Sequence, residues 1–404
     1  MSAPNSKFST SGHYSLPISI GRLGAMNEQE DRIVTTATLK ELARTHGFTS
    51  MSISKAVPVE SDAKIASDRI AEGKFSGLSW FTEQRMQVAG DPEKLLTGAQ
   101  SVLTFAINYF DWDSESIRSQ TRGQIARYAI GRDYHRVLKR RLLAYMKNVV
   151  EVIGGSETYR IFVDDAPLLE RAFGRASGLG WIGKNTNLLV PGNGSWVFLA
   201  EVITSIDLVP DIPVQKSCGT CERCIDICPT NAITAAYEVE NDRCISFLTI
   251  ENRGPIPTEL RNLMGTWIFG CDLCQEICPV NRMAGEIAFD EFRMRKELDQ
   301  FDMREILRMT EDAFEDRFKG SAIMRAKYVG MQRNVCVALG NIGSADDEGL
   351  LKETLGNPSA LVRGHAVWAL SQIGTPSAMD ALVLLTSTEQ DPTVIAELES
   401  VLRN

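Results

Sequence analysis

Long apolar runs are missing from this sequence. No stretch approaches the ~18 uninterrupted apolar residues that mark a membrane-spanning helix, so none is expected. The first 24 residues are polar and Ser-rich, with only Lys7 and Arg22 as basic side chains, and hold neither a signal-length apolar segment nor a twin-arginine pair. Excess positive charge is also missing. The formal net charge is −9, so a nucleic-acid partner would have to be met by a local basic patch. The nine cysteines do not form the dense framework of a short secreted disulfide scaffold. Clustered in a 404-residue chain, they point to metal held as thiolate in a reducing compartment, and the cytoplasm is the expected location.

What is present is concentrated between Cys218 and Pro279. The run opens as Cys218-x2-Cys221-x2-Cys224-x3-Cys228-Pro229 and closes as Cys271-x2-Cys274-x3-Cys278-Pro279, with Cys244 between. The first half has the spacing of bacterial two-cluster ferredoxins, where three thiolates of a run hold one cubane and the fourth holds the other. On that pattern Cys218, Cys221, Cys224 and Cys278 hold one [4Fe–4S] cluster, and Cys228, Cys271 and Cys274 hold a second. The second run lacks a middle cysteine, and Cys244 is the natural substitute. Paired Cys-x2-Cys also makes structural zinc sites, but two runs ending in Cys-Pro favour the ferredoxin arrangement. Cys336 sits on the apolar face of a helix and reads as core. Clusters move single electrons at low potential and do not rearrange carbon bonds, so a second cofactor is implied.

The composition, 44% hydrophobic and 24% charged, allows real cores in two to four domains. We read an α+β chain: a mobile tail over 1–30, an α/β domain over 31–210, a ferredoxin-like unit over 211–285, and a helical connector with repeats over 286–404. In the α/β domain the patterns predict strands at 49–58, 101–109 and 159–163. Asp164, Asp165 and Pro167 look like the start of a helix, and 187–190 with 195–204 like paired strands around a Pro-Gly-Asn-Gly turn. Residues 118–147 hold nine basic side chains and one acid. That is a solvated face on a core helix or a phosphate-contacting surface. Val337–Gly343 matches Trp368–Gly374 at a shift of 31, the sign of stacked helix pairs.

Several stretches resemble the epoxyqueuosine reductases. They are Phe162-Val163-Asp164-Asp165-Ala166-Pro167-Leu168-Leu169-Glu170-Arg171, Gly178-Leu179-Gly180-Trp181-Ile182-Gly183-Lys184-Asn185, and Gly194-Ser195-Trp196-Val197-Phe198-Leu199-Ala200-Glu201. Cys244-Ile245-Ser246-Phe247-Leu248-Thr249, Arg253-Gly254-Pro255-Ile256-Pro257 and Phe269-Gly270-Cys271-Asp272-Leu273-Cys274-Gln275 join them. The resemblance covers about 30–404, with HEAT-like repeats at the end. It implies reduction of the epoxide of epoxyqueuosine at the wobble position of tRNA, giving queuosine. It implies cobalamin, resting as cob(II)alamin, beside two [4Fe–4S] clusters, in a fold related to reductive dehalogenases. Electrons would pass through the clusters to cobalt, which attacks the substrate before water is lost.

The resemblance also implies roles for single residues. Asp164 would be the proton donor and lie against the cofactor. An opening epoxide builds alkoxide charge, and an acid that stays protonated for this task needs burial. Arg85, Leu188, Leu199, Ser246 and Asp272 would contact cobalamin. None of His13, His46, His135 and His365 sits in a recognised cobalamin-ligand motif, and His135 and His365 read as packing or surface residues. For tRNA, phosphate contacts fall to Arg136, Lys139, Arg171, Arg325, Lys327 and Arg333. The other expected partner is a low-potential electron donor, and the chain is expected to be a monomer. A cobalamin-dependent reductive dehalogenase is the rival enzyme, but it usually carries a twin-arginine signal and has no use for basic repeats. A non-catalytic electron-transfer or tRNA-binding scaffold is the third reading, and cobalamin affinity separates it.

Overall fold

A computed structural model describes residues 27–111, 121–155 and 157–403. Most of the 1–30 tail, together with His13 and Arg118, lies outside the described residues. The folded part begins earlier than position 31. Helix α1 (Glu28–Thr45) starts with a capping box in which the Asn27 side chain accepts from the Gln29 and Glu30 amides and Glu30 reaches back to the Asn27 amide.

The N-terminal layer is a four-stranded sheet. Strands β1 (Ser50–Lys55), β2 (Ser101–Asn108), β3 (Tyr159–Phe162) and β4 (Val197–Thr204) stand in the order β1-β2-β4-β3. Every pair is antiparallel, so helices cover the sheet without serving as crossovers between parallel strands. All eight residues of β2 are buried. That is why its sequence is mostly apolar on both faces, with only Ser101, Thr104 and Asn108 polar, and does not alternate. On one face Leu103, Phe105 and Ile107 meet α1 and helix α2 (Tyr134–Ile153) through Leu39, Leu138, Leu142 and Tyr145. On the other, Val102 and Ile203 meet Phe173 of helix α3 (Glu170–Ala176).

Two local expectations fail. The hairpin over 187–204 does not form. Leu188–Leu189 pairs with Trp181–Ile182, and the turn keeps only a Val190–Gly194 bridge. The chain instead bends at Gly194, φ +65°, where a Cβ would collide with Asn281, and the Asn281 Oδ1 accepts the Ser195 amide at 2.8 Å. This sends 197–204 into the centre of the main sheet. The helix after Asp164 also starts late. Pro167 precedes it, and α3 begins at Glu170 with no side-chain cap. Asp165 is paired with Lys139.

The cysteine-rich unit and the C-terminal helices share one core. Ile245, Leu248 and Phe269 pack with Val335, Leu339 and Trp368. The repeat is visible in α4 (Tyr328–Ile342) and α5 (Ala360–Ile373), which end on Gly343 and Gly374, both at φ +66°. A Cβ on Gly340 would stand 2.5 Å from the Trp368 ring, so the missing side chain lets the two copies close up. Cys336 is buried among these helices as expected.

Candidate functional site

The cluster-forming loops are built from two short helical turns, Arg223–Asp226 and Leu273–Glu276, which carry Cys224 and Cys274. Each turn is closed by backbone bonds at the following cysteine, Cys228 to Ile225 at 3.2 Å and Cys278 to Gln275 at 3.1 Å. All eight thiols of the unit are unbridged and half-buried. Burial, and the thiols of Cys218, Cys278 and Cys221, push Cys224 above its ordinary value. Burial pushes Cys274 up more strongly, with the thiols of Cys244, Cys224 and Cys228 adding to it. Thiols held neutral this way release protons when a metal binds them. Cys224 crowds Cys274 across the expected boundary between the two sets, so the thiol crowding joins the eight cysteines in one unit without dividing them. Turns of the N-terminal layer, beside its strands, hold this unit from outside. Asn185 donates to the Cys274 carbonyl at 3.3 Å, and Ser195 to Gln275 at 2.9 Å.

A cavity of ≈ 1020 Å³ opens between the sheet domain, the cysteine loops and the segment before α4. It lies at the upper end of the ~300–1,000 Å³ range of small-molecule sites. Cys228, Cys244, Cys271 and Cys274 line it, whereas Cys218, Cys221, Cys224 and Cys278 do not. Arg85, Asp164, Ser246, Arg171, Arg325 and Lys327 stand on its other walls. Three expected cofactor contacts do not line it. Leu188 and Leu199 pack with Ala106 and Val190. Asp272 is 1% exposed and accepts the Arg127 amide at 2.8 Å, beneath the loop.

Asp164 sits at a strained turn, φ +53°. The Tyr134 hydroxyl donates to its carboxylate at 2.5 Å, and His135 Nε2 lies 4.0 Å away. His135 Nδ1 in turn meets Asp133 at 2.8 Å. The burial expected of a catalytic acid is absent, since the Asp164 side chain is 63% exposed, at the cavity wall. From below, the Glu170 carboxylate accepts the Asp164 amide at 2.6 Å. Burial and the neighbouring Asp164 carboxylate push Glu170 up to about 8. Sequence reading assigned no role to Tyr134, Glu170 or Glu201, and left His135 as packing or surface. One signal was available: Glu201 is the only acid in the otherwise apolar strand Val197–Thr204.

The expected phosphate contacts separate into engaged and open groups. Arg171, Arg325 and Lys327 are exposed at the cavity. Arg325 also bridges to Glu251 at 2.9 Å and lies 5.0 Å over the Trp80 ring. Arg136 is 79% exposed, and Lys139 is bound to Asp165. Arg140 and Arg141 both bind Glu291, which makes much of the basic helix a solvated, self-neutralised face. Arg333 is a correction. It is 0% exposed and its guanidinium is filled by backbone carbonyls, so no phosphate reaches it.

With this geometry in place, comparison with known proteins is direct. Residues 90–165 match the family model "Epoxyqueuosine reductase QueG, DUF1730", residues 217–281 a 4Fe-4S double cluster binding domain, and residues 322–403 HEAT repeats. An epoxyqueuosine reductase of Xanthomonas campestris pv. campestris is 39% identical over 357 residues, spanning 87% of this chain and 100% of the relative. The chain belongs to the epoxyqueuosine reductase family. The Escherichia coli member is 37% identical, covering 86% of this chain and 92% of its own length. Two solved members of the family are 28% identical and cover 91% of this chain. One, at TM-score 0.84 and 97% of its own chain, is an epoxyqueuosine reductase with an epoxyqueuosine-modified tRNA stem loop. The other, from Bacillus subtilis, at TM-score 0.83 and 98%, has its catalytic aspartate loop swung out of the active site. The family-model match identifies the cysteine unit as a double-cluster module, and two iron–sulfur clusters are its cofactors.

Proposed function

We propose that this protein reduces the epoxide of epoxyqueuosine at the wobble position of tRNA to queuosine, with cobalamin as the second cofactor. One observation carries the reading: a single cavity presents the Asp164 carboxyl on one wall and Cys228, Cys244, Cys271 and Cys274 on another. An electron entry and a proton source therefore face the same space. The net reaction takes up two electrons and two protons, breaks both epoxide C–O bonds, forms the alkene and releases water.

The residues fit a bulky cofactor. The cavity is large, apolar on the side of Phe75, Leu78, Trp80 and Phe247, and polar where Arg85, Asn187 and Ser246 reach it. Cobalamin bound there would supply a low-potential metal centre able to attack an epoxide carbon. The protein's own part is proton delivery and exclusion of water. Asp164 is the proton donor, oriented by Tyr134. Asp133 holds His135 so that Nε2 faces Asp164, which suits His135 to return the proton after turnover. Substrate filling the cavity supplies the enclosure that Asp164 lacks when its side chain is open. Cys218, Cys221, Cys224 and Cys278, away from the cavity, hold the cluster that receives electrons from a low-potential donor. Arg171, Arg325, Lys327 and Arg136 contact tRNA phosphates, and the modified base is splayed from its stack to enter. The protein acts as a monomer in the reducing cytoplasm.

The test is nucleoside mass spectrometry. Anaerobically reconstituted protein is incubated with cobalamin, a low-potential reductant and epoxyqueuosine-containing tRNA. Conversion to queuosine by the wild type, and its loss in Asp164→Asn with cluster content and cobalamin binding retained, is the expected result. Iron-loaded protein without affinity for cobalamin would instead support the scaffold reading.

A further inference from the structure

Behind the Asp164 turn lies a second acid that the reaction does not consume. Glu201 is in the middle of β4, opposite Thr104 of β2 and Phe162 of β3. It is 0% exposed, and neither carboxyl oxygen has a hydrogen-bond donor. The Thr104 hydroxyl beside it is also without a partner. Its carboxyl is within hydrogen-bonding reach of one other acid, Glu170. Two carboxylates cannot bond each other, and an isolated buried carboxylate costs several kcal/mol. One shared proton resolves both problems, as in other carboxyl pairs. Glu170 is also the group that accepts the Asp164 amide and so holds that residue in its left-handed conformation.

We infer that Glu170 and Glu201 form a proton-sharing pair that positions the Asp164 turn. The proton rests on Glu201, which donates it to one Glu170 oxygen, while the other Glu170 oxygen holds the Asp164 N–H. When the pair loses that proton, the two carboxylates repel. Glu170 is displaced and the turn is released from Tyr134. The charged groups around the pair are Asp164 and Arg171, with Tyr134 and His135 across the turn. Burial and the Asp164 carboxylate oppose ionisation of Glu170, whereas the Asp164 amide, the Glu201 carboxyl and Arg171 favour it. Burial of Glu201 tips the balance toward a retained proton. Glu170 and Glu201 are positioning residues, and the inference rests on Asp164 being the proton donor.

Hydrogen exchange read by mass spectrometry tests this without turnover, in full-length cluster-loaded protein. The peptide covering 160–170 is followed from pH 6.5 to 9, with rates corrected for intrinsic chemistry. In the wild type, protection of the Asp164 amide is expected to fall about tenfold across this range, the loss of one charge-assisted hydrogen bond. In Glu201→Gln the amide NH2 is a permanent donor, and protection is expected to stay flat. Glu170→Gln keeps the acceptor oxygen and should retain protection, whereas Glu170→Ala should lose it at every pH. Exchange of the 101–108 strand reports whether each variant is folded. Equal pH dependence in wild type and Glu201→Gln would overturn the pair, as would full protection in a folded Glu170→Ala. If Asp164 proves not to be the donor, the nucleoside assay on Asp164→Asn shows it, while the exchange result stands by itself.

Discussion

Arg333→Met is the sharpest separation of a structural arginine from a phosphate-binding one. The Arg333 guanidinium donates to the carbonyls of Asn252 at 2.9 Å, Gly254 at 2.8 Å and Leu248 at 2.7 Å, and to Asn334 Oδ1 at 2.8 Å. Asn334 in turn donates to the carbonyls of Thr249 and Ile268, both at 2.8 Å. These two residues staple helix α4 to the short helix Ile245–Ile250, to the turn that follows it and to the strand Trp267–Phe269. Met fills similar volume but leaves the three carbonyls held by Arg333 without a donor, each worth ~1–3 kcal/mol when buried. Removing a buried charge with no carboxylate partner returns part of that, because burial and the like charge of Arg253 already work against it. The net expectation is a loss of ~3 kcal/mol, or roughly 6–12 °C at the ~2–4 °C per kcal/mol typical of larger domains. The assay is a thermal melt by circular dichroism, beside tRNA stem-loop binding across a salt series. An unchanged melt together with a salt slope lowered by about one would refute the structural assignment and return Arg333 to the phosphate surface.

Other substitutions probe the remaining elements. Cys244→Ala should lower the iron content by about half, since a cubane takes four thiolates; Cys336→Ala should leave iron unchanged, and an equal effect of the two would overturn the ligand set. Arg136→Glu should weaken stem-loop binding and flatten its salt slope by about one, measured by fluorescence anisotropy; an unchanged slope would assign that helix face to solvent. The acid pair should also leave a signature in stability. Burial and the neighbouring Glu170 raise Glu201 well above the ordinary carboxyl range, so from about 4.5 up to that raised value the folded protein holds on Glu201 a proton that the unfolded chain has released. This contribution to stability therefore falls as pH rises through that window. Glu201→Gln should flatten the decline in urea midpoint measured from pH 5 to 8.5, and a slope identical to wild type would show that the pair is not protonated.

Local chemistry was legible in the chain itself. Cysteine spacing, Cys-Pro turns, the buried run of β2 and the 31-residue repeat are fixed by neighbours a few positions apart, and backbone geometry translates such spacings into loops, strands and helix caps. The late start of α3 was not, because Asp165 spends its carboxylate on Lys139 across 26 positions and leaves the helix uncapped. The hairpin over 187–204 gave way for the same kind of reason: the main sheet offers 197–204 two partner strands, where the turn offered one. Charge was the least legible property. Arg325 and Arg333 are both arginines on the approach to or within the repeats, yet one stands at the cavity and the other is filled by carbonyls more than 75 positions away. The sequence by itself marked the eight clustered cysteines as the candidate iron ligands, and its family resemblance pointed to Asp164 as the candidate donor. Only the tertiary structure decided that four of the thiols face the same cavity as Asp164, and that Glu170 and Glu201 meet beneath it. Those relations depend on contacts between separate strands and loops, and on a burial that raises the cost of every unpaired charge.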